Sequence, residues 1–334
     1  MLPYIGRRLL LLIPILLGVS LLVFFFVRSL PGGPAIALLG ERANAESVEA
    51  IERELGLDQP LIFQYGRYLR NLVSGNLGNS VRTRQPVIDE LLTRFPATVE
   101  LGVTAILFAV LIGVPLGFLA AKRYQGVLDQ GSLVVSLIGI SFPVFFLALV
   151  LKYFFAVKWG LLPSIGRVDV TRSFEHPTNF YLLDAMIARD GAALVDVLKH
   201  LFLPALALGT IPLAVIARIT RAATLEVNSE DYVRTAQAKG LEGSVINRRH
   251  ILRNALLPVV TVVGLQTGLL LTGAVLTETV FSWPGVGSWM LEAIRFRDYA
   301  VLQAGIIFFA FVVIMTNLLV DLSYAFLNPR IRFQ

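Results

Sequence analysis

Six stretches of the chain are apolar for long enough to cross a membrane, and polar residues are concentrated between them. They run roughly over Leu9–Val27, Ala97–Ala121, Leu133–Val157, Leu201–Ile219, Leu256–Val280 and Val301–Leu327. A helix needs about 20 mostly apolar residues to cross about 30 Å of hydrocarbon, so each stretch is predicted to be a transmembrane helix. A buried helix of a soluble domain is the competing reading for any one of them; six in one chain argue against it. The fourth, LFLPALALGTIPLAVIARI, carries Pro204, Gly209 and Pro212. A bundle tolerates such breakers because neighbouring helices satisfy the freed backbone groups. The first follows Arg7 and Arg8 as a secretory leader would. Its apolar run exceeds the roughly 7–15 residues of a leader and no A-x-A-like site follows, so it is predicted to be a retained span.

The polar pieces carry their own patterns. Residues 30–95 are too many for a bare connector. Within them ESVEAIERELGLDQP predicts an amphipathic helix, stopped by Gly56 and Pro60. IFQYGRYLRNLVSG predicts a second, whose Phe63, Tyr65 and Tyr68 with their Arg neighbours suit a helix lying at the membrane surface. Two further polar pieces cover about 158–198, with Pro163, Gly166, Pro177 and Asp184, and about 281–299, with SWPGVG. Lys122 and Arg123, the basic loop 220–255, and Arg330 and Arg332 in the tail all fall on one side. Basic residues in short loops mark the cytoplasmic side, so both termini are predicted to lie inside. The expected organisation is a first span over 1–30, an extracytoplasmic segment over 31–95, a core of five spans over 96–327 and a cytoplasmic tail over 328–334. No internal repeat stands out.

Composition narrows the class. Of 334 residues, 56% are hydrophobic and 16% charged, against roughly 45–50% and about 25% in soluble domains. That excludes a disordered chain and an ordinary two-domain soluble enzyme. The net charge of +6 reads as the flanks of spans, and no nucleic-acid partner is expected. With no cysteine, disulfides and thiolate sites are impossible. His176, His200 and His250 are too dispersed for a metal site, and no Ser/His/Asp or paired-carboxylate spacing suggests catalysis. Glu100, Glu278, Asp321 and Gln266 lie in or at the ends of spans. Ionisable groups there are functional candidates, with helix capping as the structural alternative. Gln266 is deep enough to bond another helix. Trp283, between Ser282 and Pro284-Gly285, is either an interfacial anchor or part of a tight re-entrant turn near an outer gate.

The inner loop is the most patterned polar piece: RAATLEVNSEDYVRTAQAKGLEGSVINRRHILRNALLPVVT. Asn228 or Ser229 is placed to cap a helix whose first turn holds Glu230 and Asp231, acids that suit a helix N-terminus. Gly240 stands where a left-handed residue would end it, with Leu241 as the contact beyond. The helix is expected to span about 11 residues, or about 16 Å. Ser244 is placed to cap a second short helix leading through His250 into the next span. Thr235, Ala236 and Ala238 are small and let another surface approach. Such a helix either lies on anionic lipid or acts as a lever into a partner.

The stretch DYVRTAQAKG, nine residues, then HILRNALLP resembles the EAA loop of ABC-importer permeases. Arg234, Thr235 and Ala236 take the Glu-Ala-Ala positions, six before Gly240. Leu252 matches the motif's leucine and Arg253 stands at its proline. Both departures are shared by the first of the two permeases in dipeptide- and oligopeptide-type importers. RRLLLLIPILLGVSLLVFFFVRSLPGGP, GNLGNSVRTRQPV, RFPATVELG, LGTIPLAVIARITRAATLEV, LTETVFSWPGVGSWMLEAIRFRDYAVLQAG and NLLVDLSYAFLNPRIR extend the resemblance over nearly the whole chain, closest to dipeptide permeases. Gly33 and Asn76 stand where those permeases commonly carry Asp.

The resemblance implies an all-α membrane protein with six transmembrane helices, the type I ABC-importer permease fold, both termini inside, and extracytoplasmic helical segments. It implies a non-catalytic subunit: half of a translocation pathway, completed by a second homologous permease. Two cytoplasmic ABC ATPase subunits would bind ATP and Mg; this chain has no G-x-x-x-x-G-K-[ST] phosphate loop of its own. An extracytoplasmic peptide-binding protein would deliver substrate, and membrane lipid would surround the spans. The coupling residues it implies are Glu230, Asp231, Tyr232, Arg234, Thr235, Ala236, Ala238, Lys239, Gly240, Leu241, His250, Arg253 and Asn254. The pathway or outer-gate residues are Gln266, Glu278, Ser282, Trp283, Pro284 and Gly285. Related permeases serve dipeptides, oligopeptides, glutathione, haem precursors or nickel complexes. A proton-coupled secondary transporter, which would need mid-span carboxylates, and an intramembrane enzyme, which would need a nucleophile or metal cluster, are the competing classes.

Overall fold

The structure, a computed structural model, describes residues 2–29, 39, 44–56, 58–172 and 174–327. The PGGP turn with Gly33 and the tail arginines Arg330 and Arg332 lie outside the described residues, and so does the side chain of Asp321. Among the described residues regular structure is helical, apart from an isolated antiparallel bridge between Asn79 and Pro86. The helices are α1 (Leu2–Ser29), α2 (Ala45–Leu55), α3 (Leu61–Val73), α4 (Val87–Lys122), α5 (Val127–Ser141), α6 (Val144–Leu151), α7 (Tyr181–Ile187), α8 (Gly191–Asn228), α9 (Asp231–Ala238), α10 (Arg253–Gly273), α11 (Val275–Val280), α12 (Val286–Phe296) and α13 (Tyr299–Leu327). π-Helical segments continue α6 over Lys152–Lys158 and precede α10 over Ile246–Leu252.

Among the described residues five helices are long and apolar enough to cross a membrane, and the third expected span is a bent pair. α5 and the α6 stretch meet at 100°. The cause is Pro143, which caps α6. A proline forces the residue before it out of the helical region, and Phe142 is accordingly extended at φ −85°, ψ 129°. The fourth span is not broken by its prolines. α8 runs unbroken for 38 residues through Pro204 and Pro212. At 1.5 Å per residue that is about 57 Å, longer than the hydrocarbon layer. Its start is capped by Asp190, whose carboxylate accepts from the Ala192 and Ala193 amides. The fifth expected span ends early: α10 stops at Gly273, and Glu278 lies in the separate short helix α11.

The chain forms two compact units, Met1–Pro96 with Gly285–Met315 and Ala97–Pro284 with Thr316–Gln334. In the first, Val27 of α1, Val87 and Leu91 of α4, Val286, Trp289 and Ala293 of α12, and Val301 and Leu302 of α13 form the core. Asp298 stitches this unit together. Its carboxylate accepts from the Ser80 hydroxyl at 2.7 Å and the Val81 amide at 2.8 Å, and caps α13 through the Val301 amide at 3.3 Å. α2 opens on a reciprocal Asn44/Ser47 capping box and closes on left-handed Gly56, the stop expected from its sequence.

In the second unit Ala97, Leu101, Ala105 and Ala109 of α4 pack with Leu201, Ala205, Leu208 and Ile216 of α8 and with Val259 and Leu270 of α10. Glycines set the crossing of α4 and α8. A Cβ on Gly117 would collide with the Ala217 carbonyl oxygen, and one on Gly113 would lie 3.0 Å from the Leu213 carbonyl oxygen. Gly209 of α8 is likewise close to α4, with a Cβ 2.8 Å from the Ala105 carbonyl oxygen. Small residues four apart are the usual means of bringing membrane helices this close.

Candidate functional site

The inner-loop helix is shorter than its sequence suggests and starts later. Asn228 closes α8, Ser229 is its C-cap, and Glu230 is the N-cap of α9 with no side-chain cap bond. The expected cap by Asn228 or Ser229 is therefore absent, because α8 runs on until those residues are used to end it. The C-terminus is as expected. Gly240 has φ +71°, the Leu241 amide donates to the Ala236 carbonyl and the Gly240 amide to the Gln237 carbonyl. This pair of bonds is the Schellman stop. A left-handed non-glycine residue costs roughly 1–2 kcal/mol, which explains the glycine; nothing lies within 4 Å of a Cβ placed there. Leu241 itself is exposed. Ser244 caps nothing: the turn Gly243–Val245 has Glu242 at its N-cap.

The faces of α9 divide by chemistry. Val233 and Ala236 are buried with Ile246 and Ile251, against Phe118 and Val227. The smallness of Ala236 therefore serves packing on its own chain. Asp231, Tyr232, Arg234, Thr235, Ala238 and Lys239 are exposed. One polar clamp joins α9 to the base of the next span. The Asn254 Nδ2 donates to the Tyr232 hydroxyl at 2.9 Å and to the His250 carbonyl at 2.8 Å. Arg253, standing at the motif's proline, leaves its backbone N–H in place, and the helical stretch from Gly243 to Gly273 runs on through it. The geometry is a short helix held by an apolar plug, a clamp and a glycine stop, with its outer face open.

The outer polar residues separate into buried and exposed ones. Glu278 and Trp283 are both fully buried. The Thr98 hydroxyl donates to Glu278 Oε1 at 2.7 Å. The Trp283 indole N–H donates to the Ala97 carbonyl at 2.9 Å, inside the core cluster of this unit. The expectation of an interfacial tryptophan is not met, because the ring fills the core and its polar edge finds a backbone partner there. Ser282, at φ +48°, and Pro284 are exposed. Gly285 is the N-cap of α12, and Gln266 is half-buried midway along α10.

Glu100 is the centre of an ion-pair site that the sequence did not reveal. Arg167 donates to Glu100 Oε2 at 2.7 Å and to the Asn179 carbonyl at 2.8 Å; both partners of the ion pair are 4% exposed. The Leu182 amide donates to Glu100 Oε1 at 2.7 Å, and the guanidinium lies 3.7 Å from the Tyr181 ring centroid. One carboxylate thus fastens the 158–190 loop to α4. Arg167 sits in a loop without periodicity, 67 residues away, so no pattern links the two. Lys152, also unforeseen, donates to the Val280 carbonyl at 2.6 Å and caps α11. On the same loop, the Thr171 hydroxyl and amide hold the Asp169 carboxyl below the usual carboxylate range. Among the described residues no group of three His, Cys, Asp or Glu is arranged to hold a metal.

Comparison with known proteins adds the following. Residues 113–333 match the family described as the binding-protein-dependent transport system inner membrane component, and residues 1–102 match the N-terminal family of the same membrane components. The di/tripeptide transport system permease protein DppB of Pseudomonas aeruginosa (strain UCBPP-PA14) is 51% identical over 336 residues, covering 100% of both chains. The dipeptide transport system permease protein DppB of Escherichia coli (strain K12) is 47% identical over 336 residues and 99% of both chains. The protein of that name in Alkalihalophilus pseudofirmus is 45% identical over 333 residues, covering 100% of both chains.

Proposed function

We propose, given that the chain belongs to the family of binding-protein-dependent transport system inner membrane components, that it imports dipeptides and other short peptides. The family places the chain in the inner membrane as a multi-pass component working with other transporter subunits. The finer division of labour is our reading. A second homologous permease completes the pathway, two ABC ATPases bind the inner loops, and an extracytoplasmic peptide-binding protein delivers the substrate. The core over 96–327 forms this chain's share of the pathway. Full-length similarity to chains named as dipeptide and di/tripeptide permeases supports the substrate class.

One observation carries the coupling role: α9 is fixed to its own chain by Val233, Ala236 and the Tyr232–Asn254 clamp, while its other face is open. A helix so held moves with α8 and α10, so an ATPase gripping its exposed residues would tilt both. This is the rigid-body transmission from which many switching transitions are built. The residues offered to the ATPase are Asp231, Arg234, Thr235, Ala238 and Lys239. Val233 and Ala236 act from within, and Gly240 and Leu241 end the lever.

The test is peptide uptake into proteoliposomes holding the whole complex, with binding protein outside and ATP inside. Uptake of a labelled dipeptide should require ATP and survive collapse of the proton gradient. Stimulation of ATPase activity should be larger for dipeptides and tripeptides than for glutathione or a nickel chelate. Peptide uptake by this chain alone, without ATP, overturns the transport reading; stimulation by the nickel chelate alone overturns the substrate.

A further inference from the structure

We infer that α3 is a lipid-binding helix, set into the membrane beside the C-terminal end of α1. Its aliphatic edge meets acyl chains and its arginines meet phospholipid phosphates. The inference rests on α1 being a span and not on the peptide reading.

The depth of α3 follows from its contacts. The apolar window of α1 runs from Leu10 to Ser29. α3 packs against the last part of that window. The Tyr65 hydroxyl is 2.9 Å from the Ser20 hydroxyl, the Tyr65 and Tyr68 rings lie 5.2 and 5.8 Å from Phe24, and Arg28 Nε donates to Gln64 Oε1 at 2.9 Å. Phe24 stands five positions before Ser29, which is about 7 Å along a helix. α3 therefore crosses α1 below the end of its apolar run. At that depth a helix meets headgroups on one side and acyl chains on the other.

The faces fit that position. The sequence pattern assigned Tyr65 and Tyr68 to the membrane surface; in the structure they turn inward onto α1 with Gln64. What turns outward is Ile62, Phe63 and Val73, at 77%, 65% and 87% exposure. Ile62 and Val73 are eleven positions apart, about three turns, and so share one edge. Leu22, Phe25 and Phe26 of α1 are exposed too, as expected of a span in contact with lipid. Arg67 and Arg70 are also exposed, on the arc to either side of Phe63, and Arg67 also donates to Gln59 Oε1 at 3.2 Å. An apolar edge flanked by arginines is the composition of an interfacial helix. An exposed apolar edge held against Ser20, Phe24 and Arg28, within the apolar window of a span, selects lipid as the occupant, ahead of a protein partner.

The chain has no cysteine, so single reporters are unambiguous. Ile62→Cys, Phe63→Cys and Val73→Cys, labelled with an environment-sensitive fluorophore, are placed in the full complex in lipid nanodiscs. Phe26→Cys on α1 is the bilayer reference and Glu49→Cys on α2 the aqueous one. Only variants that retain wild-type uptake are read. At Ile62 and Val73, shallow nitroxide-labelled lipid should quench at least twofold more than at Glu49, and aqueous iodide at least twofold less. Quenching by iodide as at Glu49 overturns the inference. Protection from both quenchers also overturns it, because the edge is then covered by protein.

Discussion

At the scale of single residues, charges decide how polar segments are fastened to apolar helices. Asp129, 2% exposed, receives two donors from the Arg221 guanidinium, one of them at 2.8 Å, and the Gln125 amide at 2.9 Å. It ties the start of α5 to α8. Taking the carboxylate away leaves the guanidinium without its partner and the amide unsatisfied. Asp129→Ala should lower the stability of the purified complex by about 2 kcal/mol, read as a fall in thermal unfolding midpoint. Asp129→Asn, which keeps an acceptor, should lose less; equal midpoints for Asp129→Ala and the wild type refute the role. Neither partner was singled out from the sequence as a pair. Glu100 was visible as an acid at a span end, but Arg167 was not visible as its counterpart. An ion pair between residues 67 or 92 positions apart leaves no local signal, since only folding brings the two together.

At the scale of elements, α9 shows how one short helix divides into a face packed on its own chain and a face left open. Its existence and its glycine stop were legible, because amphipathic spacing and a left-handed turn are local properties. Its start was not, because α8 extends through the residues expected to cap it. The orientation of Ala236 was not legible either, since a small residue suits a close partner and a close core equally well. The structure separates the two on one helix. Ala236→Leu overfills the plug with Ile246 and Ile251 and should cost about 1–3 kcal/mol of stability. Ala238→Trp, on the exposed face, should leave the unfolding midpoint unchanged while lowering peptide-stimulated ATPase activity and uptake at least tenfold. Ala238→Trp with wild-type uptake refutes the lever. The bent pair of α5 and α6 was masked for a similar reason: Leu133–Val157 is apolar apart from Ser136, Ser141 and Lys152, and hydropathy does not register the turn that Pro143 imposes.

At the scale of the whole molecule, the distribution of charge makes a topological prediction. Lys239, beyond α9, and Thr171, in the loop fastened by Glu100 and Arg167, should lie on opposite sides of the membrane. With the natural chain free of cysteine, Lys239→Cys should react with an impermeant thiol reagent from the cytoplasmic side and Thr171→Cys from the outer side. Reaction of both from one side refutes the assigned orientation. The sequence by itself determined the class of protein, its long apolar runs and the inner-loop helix, and it predicts the sidedness. Each rests on a quantity summed over neighbouring residues: length of apolar run, charge between runs, a cap or a glycine at a helix end. The tertiary structure alone decided that Trp283 is a core residue, that Glu100 anchors a loop, that Ala236 faces inward, and that Tyr65 and Tyr68 turn onto α1 and leave Ile62 and Val73 outside. Each of those depends on which surface another part of the chain covers. Burial is a property of pairs distant in sequence, so the local pattern offers the side chain and the fold chooses its neighbour.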